Sequence, residues 1–229
     1  MAGGHRRFAA SLRELASRQA VDETLQLAVD LAAELVRGCD VADIIFIRPG
    51  GTTTPVSTDP VALAIGELQD ETGEGPCLST VDSEQVVIAD DLRSDGRWPT
   101  FGPRAAELGV RSAASYQLFL HRNDGDRFGA LALYGSQPSA FDDEAIDLGE
   151  VFAAHCATVL AAAIAHEGAR MALESRDIIG QAKGILMARE KMSAAEAFDV
   201  LRRRSQARNL KLRDLAAEVA ETGTLSVLD

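Results

Sequence analysis

The sequence changes character at Phe141, and this change limits the folds available to the chain. From "FDDEAIDLGEVFAAHCATV" onward, apolar residues recur at helical spacing, and neither a repeat nor a low-complexity linker interrupts them. Before Phe141, short runs with the composition of strands lie between turn residues. The sequence therefore predicts a part that contains strands, then a part made only of helices, with a helix and no flexible segment between them.

A heptad pattern runs along the helix that begins this second part. Its positions, at alternating spacings of four and three, are Leu148, Phe152, His155, Val159, Ala162, His166, Ala169 and Leu173. A seam of this kind, apolar except for two histidines, is typical of a coiled coil and predicts a parallel homodimer. If both histidines face their symmetry mates, repulsion between their charged forms should weaken the dimer below about pH 6. The alternative is that the residues before Ala162 pack on the sheet of their own chain.

The N-terminal part predicts an antiparallel sheet with helices. Two helical patterns, "FAASLRELA" and "VDETLQLAVDLAAELV", come first. Strand patterns follow in "DIIFIRPGGTTTPVST", which has a central Gly-Gly turn, in "QVVIAD", and in "SAASYQLFL" and "FGALALYG", which form a hairpin around Asn123, Asp124 and Gly125. "PVALAIGELQ" and "RWPTFGPRAAELG" predict helices, the second ending at Gly109. The predicted fold class is α+β.

Charge is distributed unevenly along the chain, which has 229 residues and a net charge of -12. Met1 to Glu167 carries 12 Lys and Arg against 26 Asp and Glu, whereas Gly168 to Asp229 carries 11 against 9. Only the second segment has the balance expected of a part that meets a polyanion. We therefore predict one domain over residues 1–165 and a second over residues 166–229.

Composition predicts a soluble, cytoplasmic protein. The start of the chain lacks a continuous apolar segment, and "CATVLAAAIA" is shorter than the roughly 18 residues that suggest a membrane span. Cys39, Cys77 and Cys156 are too widely separated to indicate a disulfide framework or a cysteine-based zinc site. Buried, reduced thiols are expected.

Two segments resemble known families. The order of elements over Ala9 to Ala165, with "GEGPCLSTVDSEQVVIADDLRSDGRWPTFGPRAAELGVRS", resembles a GAF domain of the actinobacterial branch. "RDIIGQAKGILMAREKMSAAEAFDVLRRRSQARNLKLRDLAAEV" resembles the ANTAR domain nearly end to end. The pair is similar to GAF-ANTAR antitermination regulators. The resemblance implies that the chain binds structured leader RNA as a dimer, so that a transcription terminator does not form.

Local chemistry of the C-terminal segment predicts a three-helix unit. The first helix ends near Glu190, and a capping box from Ser193 to Glu196 begins the second. Asn209 is suited to the left-handed turn that ends the second helix. The residues expected in the core are Ala194, Ala197, Phe198, Leu201 and Ser205 of the second helix and Leu212, Leu215, Ala216 and Val219 of the last.

Such a unit could also be a DNA-reading helix-turn-helix, but its last helix carries Asp214, Glu218 and Glu221, which phosphate would repel. Positive charge lies instead on the first two helices and the turn between the second and third. The predicted RNA-binding residues are Arg176, Ala182, Lys183, Arg202, Arg208, Asn209 and Lys211, with Arg203 and Arg204 nearby. Asp199 precedes Arg202 and Arg203 at helical spacing, so ordinary solvated ion pairs are the alternative for these two arginines.

Two glycines flank Lys183 on the long helix. Each costs about 1 kcal/mol against alanine in a helix interior. Gly180, Gly184 and Ala182 keep side-chain bulk low around Lys183, so we expect RNA to approach there; the alternative is a crowded helix crossing. Because Phe198 is assigned to the core, no aromatic stacking platform is expected.

The N-terminal domain carries few signals of chemistry. Cys77 follows a predicted helix start, where a lowered pKa would make it redox-active, but a buried thiol is favoured. His121 has no partner at ligand spacing, and Asp90 with Asp91 is explained by solvated acids at a strand end. We expect no catalysis, no metal and no cofactor, although a small-molecule ligand of this domain is open, with Arg111 as a residue that could reach an anion.

Three classes of function remain: an RNA-binding antitermination regulator, which the resemblance favours; a DNA-binding regulator; and a protein-interaction adaptor without nucleic acid. The expected partners are structured leader RNA, a second copy of the chain, and an upstream signalling protein. No membrane partner is expected.

Overall fold

The computed structural model describes residues 2–18, 20–48, 51–82, 85–120 and 127–224. The chain divides into two compact units, Met1–His166 and Glu167–Asp229. The helical elements are α1 (Ala2–Ala16), α2 (Val21–Leu35), α3 (Pro60–Thr72), α4 (Pro76–Asp82), α5 (Phe101–Glu107), α6 (Asp143–Glu190), α7 (Ala194–Ala207) and α8 (Leu212–Thr222), with a 3₁₀ turn at Leu92–Ser94.

The first unit contains a five-stranded antiparallel sheet. Its strands are β1 (Val41–Arg48), β2 (Gly51–Ser57), β3 (Val86–Ala89), β4 (Ser112–Leu120) and β5 (Arg127–Gly135), in the order β2-β1-β5-β4-β3. All four pairings are antiparallel. The predicted α+β class, both predicted hairpin pairings and the predicted strand before Asp90 are confirmed. The turn residues Asn123, Asp124 and Gly125, and His121, lie outside the described residues.

Each face of the sheet has its own hydrophobic core, because successive side chains of a strand point to opposite faces. Ile44 of β1 joins α1, α2 and the first part of α6 on one face, whereas Ile45 joins α3, α4 and α5 on the other. The same alternation separates Leu133 from Tyr134 on β5. The second face is the one that holds Cys77 of α4.

Helix termini in this unit follow the sequence signals. The Asp59 carboxylate accepts a hydrogen bond from the backbone N–H of Val61, Pro60 occupies the first turn of α3, and Gly73 ends the helix in the left-handed region at φ 65°. The predicted end of α5 at Gly109 is also confirmed, since Gly109 has φ 91°. Such conformations are inexpensive for glycine because it lacks a Cβ.

The first half of the heptad pattern packs within its own chain. Phe152 is fully buried in the core, and the ring Nε2 of His155 lies 3.2 Å from the backbone carbonyl oxygen of Leu12 in α1. The expectation that His155 faces a symmetry mate is therefore wrong, and the alternative of packing on the chain's own sheet is confirmed before Ala162. The second half differs: Ala162, His166, Ala169 and Leu173 are all exposed.

Helix α6 also contains an 18-residue window with a mean hydropathy of 1.7, long and apolar enough to cross a membrane, and 39% of this window is buried in the protein. The sequence expectation concerned continuous apolar runs, whereas this window tolerates polar residues, so the expectation that the chain does not span a membrane stays a prediction. Length and composition alone are weak evidence of a span, since core helices pass the same test.

The second unit is built on a small three-helix core. Ala182 and Leu186 of α6, Ala197 and Leu201 of α7, and Leu215, Ala216 and Val219 of α8 form this core. The capping box is confirmed, with Ser193 accepting from the N–H of Glu196 and the Glu196 carboxylate accepting from Ser193. Asn209 has φ 52°, as predicted for the left-handed turn after α7. The Ser205 hydroxyl closes this turn by donating to the Leu210 carbonyl at 2.6 Å.

Candidate nucleic-acid interface

A groove on the second unit combines cations with an exposed aromatic ring. It has a volume of about 540 Å³ and is lined by Ala172, Ser175, Arg176, Ile179, Gly180 and Lys183 of α6 and by Phe198 of α7. The Lys183 Nζ lies 5.9 Å from the centroid of the Phe198 ring, within the range of a cation–π contact. None of the lining residues is acidic. The groove therefore favours ligands with negative charge and a flat or apolar surface.

The glycines beside Lys183 face open space. A Cβ built at Gly180 or at Gly184 would meet no described atom within 4 Å. A crowded crossing with another helix of the described chain therefore does not explain either glycine. Arg176 is exposed and Lys183 is partly exposed, so both cations and Gly180 are open to solvent on the same groove.

Ala182 is not part of this open surface. It is fully buried in the core of the second unit, beside Leu201 and Leu215. The expectation that Ala182 contacts RNA is therefore wrong in this fold, because one residue along a helix rotates the side chain by about 100° and turns it from the groove to the core. Its small size serves the packing of three helices.

Phe198 is the site residue that the sequence reasoning missed. It was assigned to the core, but its exposure is 38%, whereas Ala197 and Leu201 are fully buried. Ala194, also assigned to the core, is exposed. A signal was present in the sequence: Ala197, Leu201 and Ser205 already form a stripe at spacings of four, which leaves Phe198 at its margin. The core assignment of Phe198, on which the expected absence of an aromatic platform rested, is therefore wrong.

The remaining predicted cations lie on α7 and the turn after it, all exposed. Arg202 forms an exposed ion pair with Asp199 at 3.2 Å, as the solvated-pair alternative predicted. Arg203 instead donates to the backbone carbonyl of Asp199 at 3.3 Å, so the predicted ion pair is not formed by this arginine. Arg208 is tied to α8 through Glu218 at 2.8 Å. Within residues 167–224, which the structure describes without a gap, Arg176, Lys183, Arg204 and Lys211 form no ion pair.

The first unit holds a buried cluster of polar side chains on the α3–α5 face of the sheet. Asp43, Gln69 and Ser115 are completely buried, and among the described residues both carboxylate oxygens of Asp43, the Gln69 Nε2 and the Ser115 Oγ lack a hydrogen-bond partner. The Cys77 Sγ lies 3.5 Å from the Tyr134 hydroxyl. Desolvation by burial raises the pKa of Asp43 well above its usual value, and the nearby Tyr134 hydroxyl opposes this only in part.

The cysteines have the properties of structural thiols. All three are free, and Cys77 and Cys156 are buried, as expected. Burial raises the pKa of Cys77 to about 12, so a helix-start thiolate does not form at neutral pH. The Arg111 guanidinium donates two hydrogen bonds to the Asp91 carboxylate, at 3.1 and 2.6 Å, and this contact lowers the pKa of Asp91. Arg111 is therefore engaged by Asp91, and no cluster of three potential metal ligands occurs among the described residues.

These features define a protein of two parts, in which a domain with an antiparallel sheet precedes a small helical unit with a cationic groove. Residues 19–161 match the GAF domain family and residues 167–219 match the ANTAR domain family. The chain belongs to the family of proteins that join a GAF domain to an ANTAR domain. GAF domains are sensor domains and ANTAR domains are RNA-binding antitermination domains.

Solved structures show the same fold for the N-terminal domain. Bacteriophytochrome RpBphP3 from the photosynthetic bacterium R. palustris is similar with a TM-score of 0.58 at 12% identity, over 88% of this chain and 46% of that chain. The present chain thus spans less than half of that protein. The GAF domain of a phosphoenolpyruvate-protein phosphotransferase from Coxiella burnetii is similar with a TM-score of 0.54 at 17% identity, over 74% of this chain and 96% of that chain. The GAF domain of the Acinetobacter phosphoenolpyruvate-protein phosphotransferase gives a TM-score of 0.51 at 18% identity, over 69% of this chain and 92% of that chain. No curated protein sequence matches the chain.

Proposed function

We propose that this protein is an antitermination regulator that binds structured leader RNA through its C-terminal unit. The observation that carries the proposal is the ANTAR match over residues 167–219, in the unit whose exposed surface holds Arg176, Lys183, Arg202, Arg208 and Lys211. RNA is favoured over duplex DNA because α8 presents Asp214, Glu218 and Glu221, and a helix with these charges is repelled from a groove lined by phosphates.

We further propose that the protein acts in the cytoplasm as a homodimer and that it has no catalytic activity. The exposed second half of the heptad pattern, Ala162, His166, Ala169 and Leu173, supports a parallel pairing of α6. Such a pairing places two RNA sites side by side. Binding of both to a leader RNA would hold it in a form that excludes the terminator.

The GAF domain would supply the input. We propose that it receives a small-molecule signal or an upstream signalling protein and holds no resident metal or cofactor. The unpaired buried atoms of Asp43, Gln69 and Ser115 support the small-molecule input, because a polar ligand would supply hydrogen bonds that the protein leaves unmade.

Competition binding tests the proposal directly. Full-length protein is titrated with a labelled pool of hairpin RNAs that share one stem and have randomised loops, against unlabelled duplex DNA, at two salt concentrations. Specific RNA binding should survive competitor DNA and added salt, whereas non-specific attraction to phosphate weakens steeply as salt rises. Equal competition by duplex DNA, or binding that disappears at the higher salt, would contradict an RNA-specific regulator.

A further inference from the structure

We propose that the groove between α6 and α7 receives one unpaired RNA base, which stacks on the Phe198 ring while Lys183 and Arg176 contact neighbouring phosphates. The inference rests on the proposed RNA binding and adds to it a position and a chemistry. It begins from Phe198, which remains 38% exposed although its neighbours Ala197 and Leu201 fill the core. The core of the second unit does not require an aromatic residue there.

The chemistry of the groove selects its occupant. It offers a ring, two cations and no acidic lining residue, in a volume of about 540 Å³. This volume falls within the range of about 300 to 1,000 Å³ that is typical of small-molecule sites. An apolar peptide would leave Arg176 and Lys183 without partners, and a simple anion would leave the ring unused. A nucleotide with an exposed base satisfies both, because its flat π face stacks on an aromatic ring and its phosphate pairs with a cation.

Lys183 is placed so that it can give up the ring to a base. Its Nζ lies 5.9 Å from the Phe198 centroid, at the outer limit of about 6 Å for a cation–π contact. The contact is therefore weak, and the flexible four-carbon stem of lysine allows the ammonium to move to a phosphate. A base that replaces the ammonium over the ring loses little and gains a stacking partner.

The opposite wall of the groove supplies the space. Gly180 belongs to the lining, and a Cβ there would meet no described atom within 4 Å. The backbone of α6 is thus open to close approach at this point. Bases inside an RNA stem are stacked on their neighbours and cannot enter such a groove, whereas bases in loops and bulges can be turned outward. The inferred ligand is therefore a loop or bulge nucleotide.

A thermodynamic cycle tests the insertion. The tightest hairpin from the randomised-loop pool is prepared with each loop nucleotide replaced in turn by an abasic one, and its binding to full-length wild type, Phe198→Tyr and Phe198→Leu is measured. For wild type and Phe198→Tyr, one abasic position should weaken binding about tenfold or more, the effect of losing one base–aromatic stack. Phe198→Leu should weaken binding of the intact RNA by a similar factor, and the abasic change should then cost nothing further.

Gly180→Leu provides a second variant that does not depend on α7. Leucine favours the helix and would fill the groove from α6, so we expect the same loss of affinity with the thermal midpoint retained or raised. If no hairpin of the pool binds, the proposed function itself fails. Base insertion is overturned, and RNA binding stands, if hairpins bind Phe198→Leu and Gly180→Leu as tightly as wild type. The same conclusion follows if the losses of affinity from Phe198→Leu and from the abasic change multiply.

Discussion

Lys183 is a cation that the fold leaves without an acidic partner within residues 167–224. Its loss should therefore cost binding and leave folding almost unchanged. We expect Lys183→Ala to weaken hairpin RNA binding by about 1 to 3 kcal/mol, the scale of a charge-assisted hydrogen bond. The measurement is a binding titration paired with a thermal melt. Wild-type affinity for RNA, or a loss of affinity that accompanies unfolding of the second unit, would contradict this role.

Asp43 is a residue whose protonation should be visible in the stability of the first unit. Burial raises its pKa well above the usual value, so the folded state holds a proton that the unfolded state releases above about pH 4. Its contribution to stability is present at low pH and is lost as pH rises through the raised folded pKa. The slope is at most about 1.4 kcal/mol per pH unit.

Asp43→Asn removes this titration while keeping the shape of the side chain. We expect the variant to gain stability relative to wild type as pH rises from 4 toward 7, measured by urea unfolding at several pH values. Carboxylates such as Asp40 and Asp95, whose pKa values are lowered by hydrogen bonds from Ser136 and Arg97, act in the opposite direction in both proteins and cancel in the difference. A difference in stability that does not vary with pH would show that Asp43 is ionised in the folded protein.

At the scale of elements, α6 carries two glycines that its packing does not need. Gly180 and Gly184 have open space where a Cβ would lie, so Gly180→Ala and Gly184→Ala should each stabilise the second unit by about 0.5 to 1 kcal/mol. Ser193→Ala, which breaks the capping box of α7, should destabilise the same unit by about 1 kcal/mol. Thermal melts of the three variants test these expectations. A melting temperature below that of wild type for Gly180→Ala or Gly184→Ala would mean that the replaced glycine has a structural role.

Most of these elements could be predicted from the sequence because their signals are local. The Ser193 capping box, the left-handed Asn209 and the Gly109 helix end are fixed by residues only a few positions apart. The contacts between elements were harder to predict. The same apolar spacing suits a helix that packs on its own sheet and a helix that pairs with a second copy, so Phe152 and His155 could not be assigned before the sheet was known.

Only the α6 side of the groove could be predicted, because contacts between elements are harder to predict than local signals. Lys183, Arg176 and the open glycine Gly180 were found from spacing and charge, but the aromatic wall comes from α7, and its position depends on how α6 and α7 cross. Aromatic residues are usually buried, which favoured a core assignment for Phe198. Ala182, in contrast, could have been assigned to the core from the sequence, since Ile178, Ala182 and Leu186 follow each other at spacings of four and all belong to or pack against the core of the second unit.

At the scale of the whole molecule, charge and exposed apolar surface divide the tasks between its parts. The segment up to Glu167 has a net charge of -14 and the rest has +2, so polyanions are attracted only to the C-terminal unit. In its middle part, α6 exposes the apolar heptad positions Ala162, Ala169 and Leu173, the last with 64% of its surface accessible. Exposed apolar residues grouped at heptad spacing are typical of a protein interface.

A charge placed in this seam should therefore separate the proposed dimer. We expect wild type to sediment as a dimer at micromolar concentration and Leu173→Asp as a monomer, because pairing would bury an aspartate from each copy next to the other. Leu63→Asp is the matched control, since Leu63 of α3 is 42% exposed and lies outside the heptad. It should remain dimeric. The monomeric variant should also bind a two-hairpin RNA more weakly than wild type, because it loses the effective concentration of a second linked site. A wild-type monomer with and without RNA, or a dimeric Leu173→Asp, would place the interface elsewhere or remove it.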